Sequence, residues 1–120
     1  MRIGYLEIVT ADVDAVCASY AAATGVQFCD GVAALGNART APATDGGLIG
    51  VRASMHETEK PVIRPYWLVD EVDAAVLAAE KAGGEIIHPA MTLPGQGRFA
   101  IYRQGENEHG LWQHINDADV

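Results

Sequence analysis

With 120 residues, 49% hydrophobic and 20% charged, the chain is long enough to bury a core and has a globular rather than a disordered composition. A formal charge of -8 at pH 7 and a pI near 4.7 argue against nucleic acid and anionic membranes as partners, since both are recognised through basic surfaces. The opening MRIGYLEIVTADVD meets a carboxylate too early for a signal-peptide apolar core, and no run approaches the about 18 apolar residues of a membrane span, so the expected location is the cytoplasm.

Residues 2–9, RIGYLEIV, alternate and are rich in strand formers. DVDAVCASYAAATG follows with an acidic start, an alanine-rich body and a closing glycine, the charge and cap pattern of a helix. VQFCDG, VAALGN and GLIGVRAS read as short strands, and NARTAPATDGG as a polar loop. PVIRPYWLV reads as another strand, with Pro65 pointing to an edge or a strand beginning, because proline cannot donate a ladder hydrogen bond. DEVDAAVLAAEKAGG predicts a second helix, and EIIHPA, GRFAIYRQ and HGLWQH three further strands. The acidic tail NDADV is expected to fray.

The order β-α-β-β-β therefore occurs twice. The helical blocks register without a gap: Asp12 falls on Glu71, Val13 on Val72, Asp14 on Asp73, Ala15 on Ala74 and Gly25 on Gly84. Identities among alanine-rich helices carry little alone, and the matching order of elements makes the repeat credible. One such unit cannot bury both faces of its sheet, so two together make one domain over residues 1–120, with modules at about 1–58 and 61–116. Cys17 and Cys29 do not form a metal-type pair and are too few for a disulfide scaffold. Cys17, inside a helical pattern, reads as a small buried hydrophobe.

The phrases VDEVDAAV, AGGEII, PGQGRFAIY and GLWQ resemble the second half of proteins of the vicinal-oxygen-chelate superfamily, the glyoxalase / bleomycin-resistance / ring-cleaving-dioxygenase group. LEIVTADVDAVCASYAAATG is similar to the first half and GGLIGVR to its last strand, so the resemblance covers roughly residues 2 to 114. Its nearest flavour is the branch related to lactoylglutathione lyase. The resemblance implies an α+β fold of two tandem βαβββ modules whose mixed sheet curls around a cleft. In metal-dependent members the ligands come from the first and last strands of each module, where N/O groups converge on a divalent cation and leave positions for substrate oxygens.

Counting back from Asp12 and Glu71 by the family's spacing gives Tyr5 and Arg64 at the first-strand positions. Gly110 and a residue within Ile49–Val51 fall at the last-strand positions. An arginine cannot shed its proton to become a ligand, so no metal is expected. The alternative is a shifted register in which Glu7, His88, Glu108 or His109 supplies ligands to Zn, Ni, Mn or Fe.

Glu7 shares a strand face with Tyr5 and is the candidate catalytic base, which requires burial to raise its pKa. Its bland reading is an ion pair with Arg64 or Arg98, or a solvated strand end. Candidate ligand-binding residues are Tyr5, Arg64, Tyr66, His88, Arg98 and Trp112. Arg98 could clamp a carboxylate or phosphate in a two-pronged fork, or pair with Glu7. Trp67, Phe99 and Trp112 suit a core, and Trp112 could also wall a flat ligand. His56 and His114 suit the surface.

The leading expectation is a small-molecule binder without metal, taking an aromatic or oxygenated metabolite whose acidic group meets Arg64 or Arg98. The alternatives are a metal-dependent lyase, isomerase or dioxygenase, and a non-catalytic module; family members commonly pair through sheet edges, so a homodimer is expected. Whether the chain is an enzyme stays open at this level.

Overall fold

Acidic side chains favour the N-terminus of a helix and glycine its left-handed end, and the first helix shows both. A computed structural model describes residues 1–43 and 46–115. Helix α1 spans Val13–Thr24 and α2 Val72–Lys81, with Asp14 and Asp73 in their first turns. Gly25 ends α1 at φ 80°, its N–H donating to the Ala21 carbonyl. The strands are β1 Ile3–Val9, β2 Gly31–Val32, β3 Ala38–Pro42, β4 Leu48–Arg52, β5 Val62–Leu68, β6 Glu85–Leu93, β7 Gly97–Gln104 and β8 Asn107–Gln113. They form one mixed sheet in the order β2-β3-β4-β1-β5-β8-β7-β6, the α+β architecture of two βαβββ repeats.

The repeat extends well beyond the helices. β1 and β5 begin at residues 3 and 62, α1 and α2 at 13 and 72, β3 and β7 at 38 and 97, β4 and β8 at 48 and 107, a separation of 59 each time. Contacts divide the chain into one compact unit of residues 6–63 and another of residues 1–5 with 64 onward. The division falls inside β1, between Tyr5 and Leu6.

Each helix covers one face of its unit's sheet. In residues 6–63, Ile8, Cys17 and Val51 form a buried cluster joined by Leu6, Val13, Val16 and Tyr20. Cys17 is buried as expected, and that burial pushes its thiol pKa up. In the other unit Val72, Ala100 and Leu111 do the same work with Val76 and Tyr102. An ion pair fastens each helix start to its sheet: Arg39 Nη1 donates to Asp14 Oδ1 at 2.9 Å, and Arg98 Nη2 donates to Asp73 Oδ1 at 2.9 Å. Both partners are displaced by the same 59 residues, so the fastening belongs to the repeat.

Four local expectations give way to tertiary pairing. VQFCDG is not a strand until Gly31; Phe28 stacks on Tyr20 of α1 at 6.4 Å, and Cys29 N–H donates to the Thr40 carbonyl at 2.7 Å. VAALGN contributes only Val32 to β2 before a 3-10 turn, Ala33–Leu35, closed by Gly36 at φ 67°. Within the expected loop NARTAPATDGG, residues 38–42 are β3, because β4 offers a complete antiparallel ladder from Arg39↔Val51 to Pro42↔Leu48. Residues 44 and 45 of that stretch, and the tail 116–120, lie outside the described residues. Pro65 sits on no edge: β5 lies between β1 and β8, and the β8 ladder begins one residue later at Tyr66↔Gly110, so β8 asks no N–H of the proline.

Leu111 is 7% exposed beneath α2. Leu111→Ala should lower the unfolding free energy by about 2–4 kcal/mol, read as a lower urea midpoint at unchanged m-value.

Candidate functional site

With one face of each unit's sheet covered by a helix, the other face is where the two repeats are free to differ. Side chains alternate along strands. On β1, Leu6 and Ile8 face α1 while Tyr5 and Glu7 face away; on β4, Val51 faces α1 while Gly50 and Arg52 face away. On β8, Leu111 faces α2 while Gly110 and Trp112 face away. The two last strands match through their links to the preceding strand ends: Thr10 N–H donates to the Arg52 carbonyl at 3.0 Å, and Val69 N–H to the Trp112 carbonyl at 2.8 Å. Glu7 therefore corresponds to Tyr66, Gly50 to Gly110 and Arg52 to Trp112. The same positions carry charges in one repeat and aromatic rings in the other.

In the unit of residues 1–5 and 64 onward, this face is an aromatic cluster. Tyr5 stacks on Trp112 at 5.1 Å, and Tyr66 meets Tyr5, Trp112 and Phe99 edge-on at 5.6, 6.1 and 6.1 Å. His88 lies over Phe99 at 4.7 Å. His88 pairs with Ile101 in the β6–β7 ladder, which makes Phe99, two residues before Ile101, its diagonal neighbour. Tyr5, Tyr66 and Trp112 are buried, whereas Phe99 and His88 are half-exposed. Glycines make this packing possible. A Cβ on Gly4 would stand 2.7 Å from Trp112 Cδ1, one on Gly97 would strike the indole ring, and one on Gly110 would strike the Tyr66 ring.

In the unit of residues 6–63 the same face buries charge. Arg52, 3% exposed, donates from Nε to Glu7 Oε2 at 2.9 Å. Its other edge grips Glu59 with both prongs, Nη1 to Oε1 at 2.8 Å and Nη2 to Oε2 at 2.7 Å, while Nη1 also reaches the Ala53 carbonyl at 3.1 Å. Met55 N–H donates to Glu59 Oε1 at 2.8 Å. The hydrogen bonds from Arg52, then the Met55 N–H, hold the Glu59 carboxyl down at about 2 against the opposing push of burial. Glu59, foremost, and Glu7 raise Arg52 further above its already high range. Charges this deep are retained only when paired.

The predicted residues are thus dispersed by their partners. Glu7 is held by Arg52, which the sequence reading did not single out. Arg98 spends its fork on Asp73, Nε to Oδ2 at 3.1 Å and Nη2 to Oδ1 at 2.9 Å, as a helix fastening. Arg64 shares the Tyr66 face of β5 and donates to Glu108 Oε1 at 2.9 Å; Arg103 takes the other oxygen at 3.2 Å. His88 Nδ1 lies 2.7 Å from its neighbour Pro89's carbonyl, and His109 Nε2 lies 3.0 Å from the Gln104 carbonyl. His56 and His114 are exposed. Arg52 was legible as a charge at the end of a buried strand, but Glu59 looks like any acid in a polar linker.

The positions that the superfamily resemblance assigns to metal ligands hold Tyr5, Arg64, Gly50 and Gly110. Two glycines, an arginine and a stacked tyrosine do not fit a divalent cation. Among the described residues no three His, Cys, Asp or Glu side chains gather into a metal-binding group, and no helix is long and apolar enough to cross a membrane.

No protein-family profile matches the chain, and neither does any curated protein sequence. Solved structures match nearly end to end. A hypothetical protein of Bacillus halodurans C-125 covers 99% of this chain and 98% of its own, at 9% identity and TM-score 0.77. Methylmalonyl-CoA epimerase from Mycobacterium tuberculosis covers 97% and 89%, at 17% identity and TM-score 0.73. A Streptomyces coelicolor methylmalonyl-CoA epimerase in complex with 2-nitronate-propionyl-CoA covers 97% and 99%, at 16% identity and TM-score 0.71. Methylmalonyl-CoA epimerases are vicinal-oxygen-chelate proteins, so the chain has the glyoxalase-like fold of that superfamily, as its sequence resemblance implies.

Two measurements probe this geometry. Gly110→Ala should cost about 1–3 kcal/mol through overpacking against Tyr66, read by chemical denaturation. Glu59 has a folded pKa below its unfolded one, so its contribution is present above about pH 4.5 and lost as pH falls toward 2. The melting temperature of Glu59→Gln should start lower and lack that part of the acid decline.

Proposed function

We propose that the chain is a metal-free small-molecule-binding protein, taking a flat, carboxylate-bearing metabolite on the aromatic face of the second repeat. The observation that carries this reading is Gly110. Where the resemblance places a ligand glutamate, the chain has no side chain, and the ring of Tyr66 fills the volume that one would need. The half-exposed pair Phe99 and His88 presents ring surface backed by Tyr66. Aromatic rings packed offset or edge-on add about 0.5–1.5 kcal/mol beyond their buried area. Arg64, two residues before Tyr66 on the same strand face and paired with Glu108 at 2.9 Å, supplies a guanidinium to the acidic group by exchanging that carboxylate for the ligand's. Two of the similar structures are named for methylmalonyl-CoA, an acyl thioester that carries a free carboxylate, which supports the acidic character of the ligand.

The test has two arms. Protein incubated with excess Zn, Ni, Mn or Fe(II) and then desalted should retain metal far below one ion per chain; one ion per chain overturns the metal-free reading. In a thermal-shift screen of aromatic and acyl carboxylic acids, at least one should raise the melting temperature saturably. Phe99→Ala should weaken that ligand roughly threefold to tenfold. A panel that moves nothing sinks the ligand class.

A further inference from the structure

The repeat supplies an internal control for the buried charges. The fastenings Asp14–Arg39 and Asp73–Arg98 occur in both halves and belong to the scaffold. The Glu7–Arg52 pair does not: Tyr66 and Trp112 occupy the matching positions as packed rings. The fold therefore has no need of a guanidinium at Arg52, and burying one costs desolvation that apolar packing avoids.

The arrangement around Arg52 is that of a carboxylate receptor. Glu7 fixes the Nε edge at 2.9 Å and so sets the plane of the guanidinium. The fork then meets a carboxylate through Nη1, which also donates to the Ala53 carbonyl, and Nη2, and the Met55 N–H adds a third donor to the same group. Gly36 lets this segment lie close, since a Cβ there would press within 3.1 Å of both Arg52 Cδ and Met55 Sδ. The occupant, Glu59, comes from the connection between β4 and β5, where residues 53–58, 60 and 61 are exposed and Glu59 alone is drawn in. Within this stretch Glu59 N–H also donates to the His56 carbonyl at 3.1 Å, and His56 Nδ1 lies 2.9 Å from Thr58 Oγ1, both local contacts.

We propose that the Arg52 fork and the Met55 N–H form a carboxylate-binding site occupied from within by Glu59, so that residues 53–61 are a strap which a small carboxylate ligand displaces. Exchange of one carboxylate for another leaves the charge around Arg52 unchanged, so no buried guanidinium is stranded. A tethered carboxylate competes at an effective concentration in the millimolar range. Simple acids therefore bind the intact protein weakly, and removing Glu59 uncovers the site. This site lies on other residues than the aromatic face and stands or falls separately from it.

The probe is acetate, titrated against sodium chloride at matched ionic strength, with the full chain. Glu59→Ala should melt below the wild type and be restored saturably by acetate, at concentrations at least tenfold lower than any effect on the wild type. The response should vanish when Arg52→Gln is added. Cleavage of the wild type after Glu57 by a glutamate-specific protease should be faster in high acetate than in chloride. If Glu59→Ala does not fold, Glu59→Gln carries the same titration. A folded variant that gains nothing over chloride, an equal gain in wild type and variant, or equal cleavage rates overturns the proposal.

Discussion

One helix per repeat can cover only one face of the strands it packs against, and the rest of the structure follows from that shortage. The covered faces are near copies. Val51 and Leu111 sit under their helices, Asp14 and Asp73 stand in first turns, and Arg39 and Arg98 hold them. Repetition on that side is what a shared packing problem produces, because a helix of fixed pitch demands the same apolar stripe and the same anchoring point from each sheet.

The uncovered faces diverge, and the divergence is chemical. Tyr66 and Trp112 form an interlocked ring cluster with Tyr5 and Phe99, made possible by Gly97 and Gly110. Glu7 and Arg52 form a buried ion pair extended by Glu59. The same positions thus carry packed rings in one repeat and paired charges in the other.

Much of the fold was legible because its signals are local. Alternation in RIGYLEIV and the acidic and glycine punctuation of DVDAVCASYAAATG predict β1 and α1 almost to the residue. The failures share a cause. ARTAP has loop composition yet is a strand, since β4 supplies its partner, and Pro65 sits in an interior strand because its missing N–H faces no demand from β8. In both, the deciding partner lies elsewhere in the chain.

The candidate site divides along the same line. Residue identity alone predicts that Tyr5, Arg64 and Gly110 make a poor ligand set, because protonation and donor type are properties of the side chain itself. It could not settle which partner each charged group meets. Arg98 read as either a ligand clamp or a partner of Glu7 in the sequence and bonds to Asp73 in the fold; Glu7 had two arginines in prospect and bonds to a third, Arg52. What the sequence by itself determined is the repeat, its two helices and which residue types stand at the first- and last-strand positions, all of which rest on short-range pattern and side-chain type. What only the tertiary structure decided is the pairing of Arg52 with Glu7 and Glu59 and the stacking around Trp112. Hydrogen bonds and ring contacts act over a few ångströms; only folding brings Glu7 and Arg52, 45 positions apart, within that reach and turns the connection that carries Glu59 onto the same guanidinium.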